Sequence, residues 1–96
     1  MGVRMSFRGE TVIARSGKAL SSEIDGEAVL IGIETGRYYG LDAVGTAIWN
    51  RIEQPCSFDD LCAGLTEEFD GDPTVIEEET RVFLTQLIER ELVSAR

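Results

Sequence analysis

The sequence predicts an α+β domain, on the evidence of a change in its hydrophobic period and of two tight turns. Up to Leu41, apolar and polar residues alternate in short β-rich runs, and after Leu41 apolar residues recur every three or four positions. Asp25-Gly26 and Thr35-Gly36 separate the β-rich runs. At 96 residues the chain has the length of one domain. We therefore expect a single domain over residues 1–96, in which residues 1–10 fray because they show no clear period.

Three antiparallel strands are expected first, at residues 19–24, 27–33 and 37–41. Asp25-Gly26 fits the first hairpin, because a two-residue turn of this kind needs positive φ at both positions. Gly36 can adopt the left-handed conformation that the second turn needs. Residues 11–14 are also β-rich and form a further strand candidate.

Three helices are expected next, and each opens on a capping residue: Asp42, Ser57 and Asp72. The first helix stops near Pro55, and the third runs over residues 73–91 with a wide apolar face. A three-stranded antiparallel sheet followed by three helices, the last two of which form a helix-turn-helix, describes a winged-helix-like architecture.

The charge distribution restricts the class of partner. Nine Lys and Arg against eighteen Asp and Glu give a net charge of −9. Residues 1–50 hold five basic and six acidic side chains, and residues 51–96 hold four and twelve, so the halves carry −1 and −8. This balance disfavours nucleic acid and an anionic membrane as partners. A transcriptional regulator that binds DNA through the same helix-turn-helix remains the alternative.

The residue types argue against catalysis. Histidine is absent, and the two cysteines, Cys56 and Cys62, lack the spacing of a zinc or iron–sulfur site. Consecutive carboxylates on a helix diverge by about 100° and do not converge on one point. We therefore expect no enzymatic activity, no cofactor and no metal. No apolar run suits a membrane helix or a signal peptide, so a cytoplasmic location is expected.

Two blocks of the sequence resemble the PqqD family. The first comprises the strand at 27–31 and the run 35–49, with Thr35-Gly36, Tyr39-x-Leu41-Asp42 and Ile48-Trp49. The second is Phe83-Leu84-x-x-Leu87 followed by Leu92-Val93. The sequence departs from the usual pattern at Asp42-Ala43, where Asn-Pro is common, and at Glu91, where many members have glycine.

The resemblance implies non-catalytic recognition of a ribosomally synthesised precursor peptide. Members of the family bind the leader segment of the precursor as an added strand, in a cleft between the third strand and the third helix. They present it to a tailoring enzyme, such as a leader peptidase, a cyclase or a radical-SAM enzyme. Free-standing leader-binding proteins of lasso-peptide clusters are the first expectation, and handling of the pyrroloquinoline-quinone precursor is the second.

The expected binding site combines an open strand edge with the third helix. An edge strand leaves backbone donors and acceptors unpaired, and such an edge recruits a further strand, which also allows a homodimer besides a monomer. Tyr39 shares a face with Leu41 and is expected in the core, which leaves Tyr38 as the better contact. The opposite rim of the helix, at Val75 and Val82, remains possible. The expected peptide-binding residues are Arg37, Tyr38, Tyr39, Gly40, Leu41, Phe83, Leu84, Leu87 and Ile88.

Overall fold

The computed structural model describes residues 7–96 as a succession of short strands and three helices. In chain order the elements are β1 (Val12–Arg15), β2 (Ala19–Ile24), β3 (Glu27–Gly32), β4 (Tyr38–Gly40), α1 (Ala43–Arg51), β5 (Cys56–Ser57), α2 (Phe58–Phe69), α3 (Pro73–Glu89) and β6 (Val93–Ala95). The predicted α+β order, a three-stranded sheet followed by three helices, is confirmed.

The predicted sheet has the strand order β2-β3-β4 and is antiparallel throughout. Its first hairpin is closed by Asp25 and Gly26, with φ of 53° and 81°, so both central residues adopt the positive φ that the sequence predicts. β4 is shorter than the predicted strand 37–41. Pairing nevertheless continues beyond both of its ends, because Gly32 N donates to Arg37 O at 2.9 Å and Leu41 N donates to Ala28 O at 2.8 Å.

A second small sheet, of order β5-β1-β6, lies outside the sequence prediction except for β1. β1 pairs antiparallel with β5, where Val12 faces Ser57, and with β6, where Ile13 faces Ala95. Strands of two and three residues carry no readable period. They form because the start of α2 and the end of the chain both come to lie beside β1.

Residues 7–10, which we expected to fray, are instead packed against the start of α2. The Phe7 side chain is buried, and its ring centroid lies 5.6 Å from that of Phe58. The Asp59 backbone N–H donates to Gly9 O at 3.0 Å. The rest of that prediction falls on residues 1–6, which lie outside the described residues.

The three predicted caps are present. Asp42 Oδ1 accepts from Gly45 N at 2.8 Å, Ser57 Oγ accepts from Asp60 N at 3.1 Å, and Asp72 Oδ1 accepts from Thr74 N at 2.9 Å. Each bond satisfies a backbone donor that the first turn of a helix leaves free.

The core lies between the β2-β3-β4 sheet and the helices. Buried side chains come from every layer, and include Ile13, Leu30, Ile48, Ile52, Leu61, Leu65, Leu84 and Leu87. α1 is also tied to the sheet by a buried hydrogen bond, in which Ala28 N donates to Thr46 Oγ1 at 2.8 Å. Among residues 7–96, no helix is both long and apolar enough to cross a membrane.

α3 ends at Glu89, two residues before the predicted end, because the chain turns at Glu91. Glu91 has a φ of 59°, in the left-handed region, and Leu92 N donates back to Leu87 O at 2.9 Å. This is the geometry of a Schellman motif, in which glycine is the favoured residue at the left-handed position. Glutamate therefore occupies a strained position, the one at which the PqqD pattern commonly has glycine.

We expect Glu91→Gly to stabilise the fold by about 1 kcal/mol, because glycine adopts positive φ without the steric cost of a Cβ. The Lys18–Glu91 ion pair, 3.4 Å long and exposed, contributes little that would be lost. Thermal unfolding measures the effect, and a rise in Tm of about 4–8 °C is expected for a domain of this size.

Glu89→Gly is the matched control, since it removes the same charge from the last helical residue. It should lower the Tm, because glycine weakens a helix interior. A Tm for Glu91→Gly at or below that of the unsubstituted protein would contradict the account of this helix end.

Candidate functional site

Within residues 7–96, one edge of β4 has no partner strand, and it carries unpaired backbone groups. Antiparallel strands alternate residues that bond to the neighbouring strand with residues whose N–H and C=O point away from it. The backbones of Arg37 and Leu41 bond to β3. Tyr39, two residues from each of them and opposite Leu30, therefore also directs its N–H and C=O towards β3. The N–H and C=O of Tyr38 and Gly40 therefore point away from β3. Four backbone hydrogen-bonding groups are available at an edge that β3 does not cover.

Side chains of β4 alternate between the two faces of the sheet. Tyr39 lies on the inner face beside buried Leu30 and is itself half-buried, whereas Tyr38 is 73% exposed on the outer face. A Cβ added at Gly40 would meet no atom within 4 Å, so a strand can approach the edge closely there. The two rings lie on the opposite faces that the alternation predicts, with Tyr38 at the surface and Tyr39 packed against the core while remaining partly exposed.

Two side chains at the C-terminal half of α3 and just beyond it lie close to β4 and Leu41. The Phe83 ring lies against the start of α1, where a Cβ added at Gly45 would be 3.1 Å from Phe83 Cε1 and 3.3 Å from Leu41 Cβ. Seven residues after Phe83, at the C-cap of α3, the Arg90 guanidinium lies 4.7 Å from the centroid of the Tyr39 ring. Phe83 and Arg90 thus mark the side of α3 that faces β4. We call the space between β4 and these two side chains the edge groove.

The other predicted helix residues lie elsewhere. Leu84 and Leu87 are 0% and 1% exposed and belong to the core, so they support the groove wall from beneath. Ile88 is about 140° from Phe83 around the helix axis, on the side away from Arg90. It is partly buried against the core.

Val82 and Val75, the alternative rim, are 52% and 50% exposed. They lie about 80–100° beyond Phe83, on the side away from Leu84. The wide apolar stripe therefore does not face a single groove: Leu84 and Leu87 are core, Phe83 borders the β4 side of the core, and Val82 and Val75 beyond it are exposed.

Sequence reasoning missed Arg90. Its position at the C-terminal end of α3 was readable, since seven residues separate it from Phe83 and two helical turns bring such residues to one face. Its contact with Tyr39 was not readable, because that contact depends on how β4 and α3 are placed.

The outer face of the sheet is an exposed apolar surface, which we call the outer sheet face. Leu20, Ile31 and Tyr38 face one another in a row across β2, β3 and β4. Leu20 is 61% exposed, and Ile24, further along β2, is 62% exposed. Exposed apolar side chains that are contiguous in this way commonly mark a protein interface.

A shallow depression continues the outer sheet face to the Gly40 end of the edge. Its volume is about 490 Å³, and its lining combines the apolar residues Ile24, Val29 and Leu41 with three carboxylates, Asp25, Glu27 and Asp42. At the Gly40 end of the edge, the outer face of the sheet is therefore apolar with an acidic border.

Neither cysteine is activated as a nucleophile. Burial raises the pKa of the Cys62 thiol to about 11, with a further contribution from the negative charge of Glu77. Burial also raises the pKa of Cys56, and Asp60 adds to that effect. Reactive thiols need a lowered pKa, so these two have the character of structural cysteines. Within residues 7–96, no three His, Cys, Asp or Glu side chains are grouped so that they could hold a metal ion.

These features define a winged-helix-like α+β protein with an open strand edge beside a helix. The family model for Coenzyme PQQ synthesis protein D (PqqD) matches residues 27–93. The chain belongs to the PqqD family, as the sequence blocks around Tyr39 and Phe83 predicted.

Two solved structures share the fold. The first is "TbiB1 in Complex with the TbiA(beta) Leader Peptide", with a TM-score of 0.78 and 34% sequence identity, covering 84% of this chain and 94% of that chain. The second is "Lasso peptide synthetase B1 complexed with the leader peptide", with a TM-score of 0.75 and 22% identity, covering 85% of this chain and 96% of that chain. A search of curated proteins found no significant match.

The pKa of Cys62 predicts slow alkylation. A thiol is neutral below its pKa, so with a pKa of about 11 only about 1% of Cys62 is thiolate at pH 9. We expect iodoacetamide to modify Cys62 in the Cys56→Ser variant more slowly than Cys56 in the Cys62→Ser variant, because the pKa of Cys56 is raised less. Mass spectrometry at pH 7 and pH 9 measures both rates. Faster modification of Cys62 at pH 7 would contradict this description.

Proposed function

We propose that this protein binds the leader segment of a ribosomally synthesised precursor peptide as an added strand beside β4, without catalysing a reaction. The observation that carries the proposal is the free edge at Tyr38 and Gly40 next to the wall formed by Phe83 and Arg90. Membership of the PqqD family supports it, as does the structure of TbiB1, 34% identical, in complex with a leader peptide.

In strand addition, backbone hydrogen bonds supply affinity and side-chain contacts supply specificity. The N–H and C=O groups of Tyr38 and Gly40 bond to the peptide backbone, and such bonds form with almost any sequence. Side chains of the added strand alternate, so that one set enters the edge groove towards Tyr39 and Phe83. The other set extends the outer sheet face beside Tyr38. Selectivity for one leader therefore comes from the groove residues.

Among precursor classes, a lasso-type leader is favoured over the pyrroloquinoline-quinone precursor. TbiB1 and the lasso synthetase B1 chain both align over more than 80% of this chain, and both were solved with leader peptides. The proposal includes a cytoplasmic location, where precursor peptides are made.

The DNA-binding alternative has little support in the structure. α3 would be the recognition helix, yet Glu77, Glu78 and Glu79 lie near its N-terminal end. Arg81, the nearest cation on this helix, donates to Phe7 O at 2.8 Å and to Glu77 at 3.1 Å. Phosphates would meet carboxylates at this surface rather than free cations.

The tailoring enzyme that receives the leader is proposed to dock on the outer sheet face. A strand added at β4 continues this face, so an enzyme that covers Leu20, Ile24 and Tyr38 also contacts the bound leader. Burial of these exposed side chains supplies the driving force, at about 25 cal/mol per Å² of apolar surface. The segment of the precursor that the enzyme modifies then leaves the β4 edge directly beside the enzyme.

The first test removes one edge donor. Proline at residue 38 has no N–H, so Tyr38→Pro should weaken leader binding by about tenfold or more while the fold is retained. The probe is a peptide selected from a displayed random 12-residue library on the unsubstituted protein, and fluorescence anisotropy measures its Kd. Tyr38→Ala separates loss of the ring from loss of the N–H.

Ser21→Pro is the matched control at the opposite edge of the sheet. β2 bonds to β3 through alternate residues, and Ser21 N–H points away from β3, as Tyr38 N–H does. Ser21→Pro should therefore leave the Kd unchanged. Equal affinities for Tyr38→Pro and the unsubstituted protein, with both folded by circular dichroism, would overturn strand addition at β4.

The second test separates enzyme docking from leader binding. Leu20→Ser removes apolar surface from the outer sheet face without touching the edge groove or the depression beside Gly40. Leader affinity should stay the same, and the rate at which the co-encoded tailoring enzyme processes the precursor should fall about tenfold or more at limiting protein concentration. An unchanged processing rate would exclude this face as the docking surface.

A further inference from the structure

The outer edge of β2 is the longer of the two edges of the β2-β3-β4 sheet. β2 has six residues and β4 has three, and within residues 7–96 no strand pairs with the outer side of β2. The Ile33 N–H donates to Lys18 O at 2.9 Å, which assigns the bonds with β3 to the even-numbered residues of β2. The N–H and C=O groups of Ala19, Ser21 and Glu23 therefore point away from β3. We call this row of groups the β2 edge.

β2 projects beyond the helices that cover the rest of the sheet. Five of its six residues are exposed. Ser21 and Glu23 are among them, although both lie on the inner face, where Ser21 pairs with buried Leu30. On the outer sheet face, Leu20 and Ile24 are 61% and 62% exposed. An edge strand of this length, with exposed apolar side chains and no proline, is a template for pairing with a further strand.

The sequence of β2 is self-complementary in one antiparallel register. Two copies related by a two-fold axis pair antiparallel, with the outward-pointing residues of one copy facing those of the other. When Ser22 lies at the axis, Leu20 of each copy faces Ile24 of the other copy on the outer sheet face. On the inner face, Glu23 of each copy faces Ser21 of the other. Apolar side chains then meet apolar ones, and no two carboxylates are opposed.

The neighbouring registers match these side chains less well. With Ser21 at the axis, Leu20 faces Ser22, and Ile24 faces Lys18. With Leu20 at the axis, Ile24 lies beyond the end of the facing strand. Each of these registers leaves an apolar side chain opposite a polar one or unpaired, so side-chain pairing favours the register centred on Ser22.

We propose that two copies of this chain pair through the β2 edge, with Ser22 at the two-fold axis. The two sheets then form one six-stranded sheet of order β4-β3-β2-β2-β3-β4. A two-fold interface of this kind is closed, so association ends at the dimer. Both β4 edges remain free at the outer ends of the sheet. The proposal goes beyond leader binding and does not depend on it, because the β2 edge and the β4 edge are separate.

The dimer is a weak one. Its contact involves one strand from each copy, so the buried area is below the roughly 1,200 Å² of stable complexes, and we expect a Kd of about 10–100 μM. Each copy carries a net charge of −9, so the two copies repel each other. Salt screens this repulsion, and the Kd should therefore be lower at about 0.5 M than at about 0.05 M salt.

The first experiment is sedimentation equilibrium on edge variants. Proline at residue 21 removes an N–H that points away from β3, so Ser21→Pro should stay monomeric. The unsubstituted protein at about 1 mM, well above this Kd, should have a weight-average mass approaching twice that of one chain. Tyr38→Pro is the matched control, since it removes an outward N–H from the β4 edge, and it should dimerise like the unsubstituted protein. Circular dichroism verifies that both variants are folded.

The second experiment tests the register by cross-linking. Two Ser22 residues at the axis form a non-hydrogen-bonded pair with Cα atoms about 4.5 Å apart, which is within disulfide range. Ser22→Cys, made with Cys56→Ser and Cys62→Ser, should therefore give a covalent dimer in a glutathione redox buffer. Ser21→Cys in the same background is the matched control and should remain mostly reduced, because it faces Glu23. Non-reducing electrophoresis measures both.

The outcomes test the dimer and its register separately. An unsubstituted protein that stays monomeric at about 1 mM would overturn the dimer. Dimers that persist in Ser21→Pro and disappear in Tyr38→Pro would show pairing through β4 and would also contradict it. Cross-linking of Ser21→Cys in preference to Ser22→Cys would contradict the register. None of these results bears on leader binding, which is measured by peptide affinity at the β4 edge.

Discussion

The backbone pairing of β3 with β4 determines what this surface can do. Gly32 and Arg37, Leu30 and Tyr39, and Ala28 and Leu41 face one another in a single antiparallel register. That register commits the backbone groups of alternate β4 residues to β3 and leaves those of Tyr38 and Gly40 free. It also sends Tyr39 towards α3 and Tyr38 to the opposite face. A slip of one residue would exchange the two tyrosines and move the free groups.

The surrounding structure holds this register from both ends. At one end Gly36, with a φ of 69°, allows the turn between β3 and β4. At the other, Asp42 caps α1 directly after the strand, and Thr46 of α1 accepts a buried hydrogen bond from Ala28 N. α1 therefore fixes the strand that leads into it, and Phe83 packs over Gly45 at the same junction. These contacts hold β4, α1 and Phe83 in fixed positions relative to one another.

The sequence correctly predicts the turns and helix starts, which depend on a few neighbouring residues. Asp25-Gly26 set the first hairpin, and Asp42, Ser57 and Asp72 located the helix starts, because turns and caps depend on a few adjacent residues. It did not reach β5 and β6, which exist only through tertiary contact with β1. It also could not orient α3, since periodicity gives the width of an apolar stripe but not which part meets the core. The sequence therefore places Leu84 and Leu87 with Phe83 in the expected peptide-binding site, and it does not indicate Arg90.

Amide hydrogen exchange of the free and peptide-bound protein tests strand addition most directly. A peptide strand beside β4 must accept hydrogen bonds from Tyr38 N–H and Gly40 N–H, so these two amides should become strongly protected on binding. The outward amides of the opposite edge, at Ser21 and Glu23, should exchange at the same rate in both states. Protection that appears elsewhere while Tyr38 and Gly40 exchange as in the free protein would contradict the account.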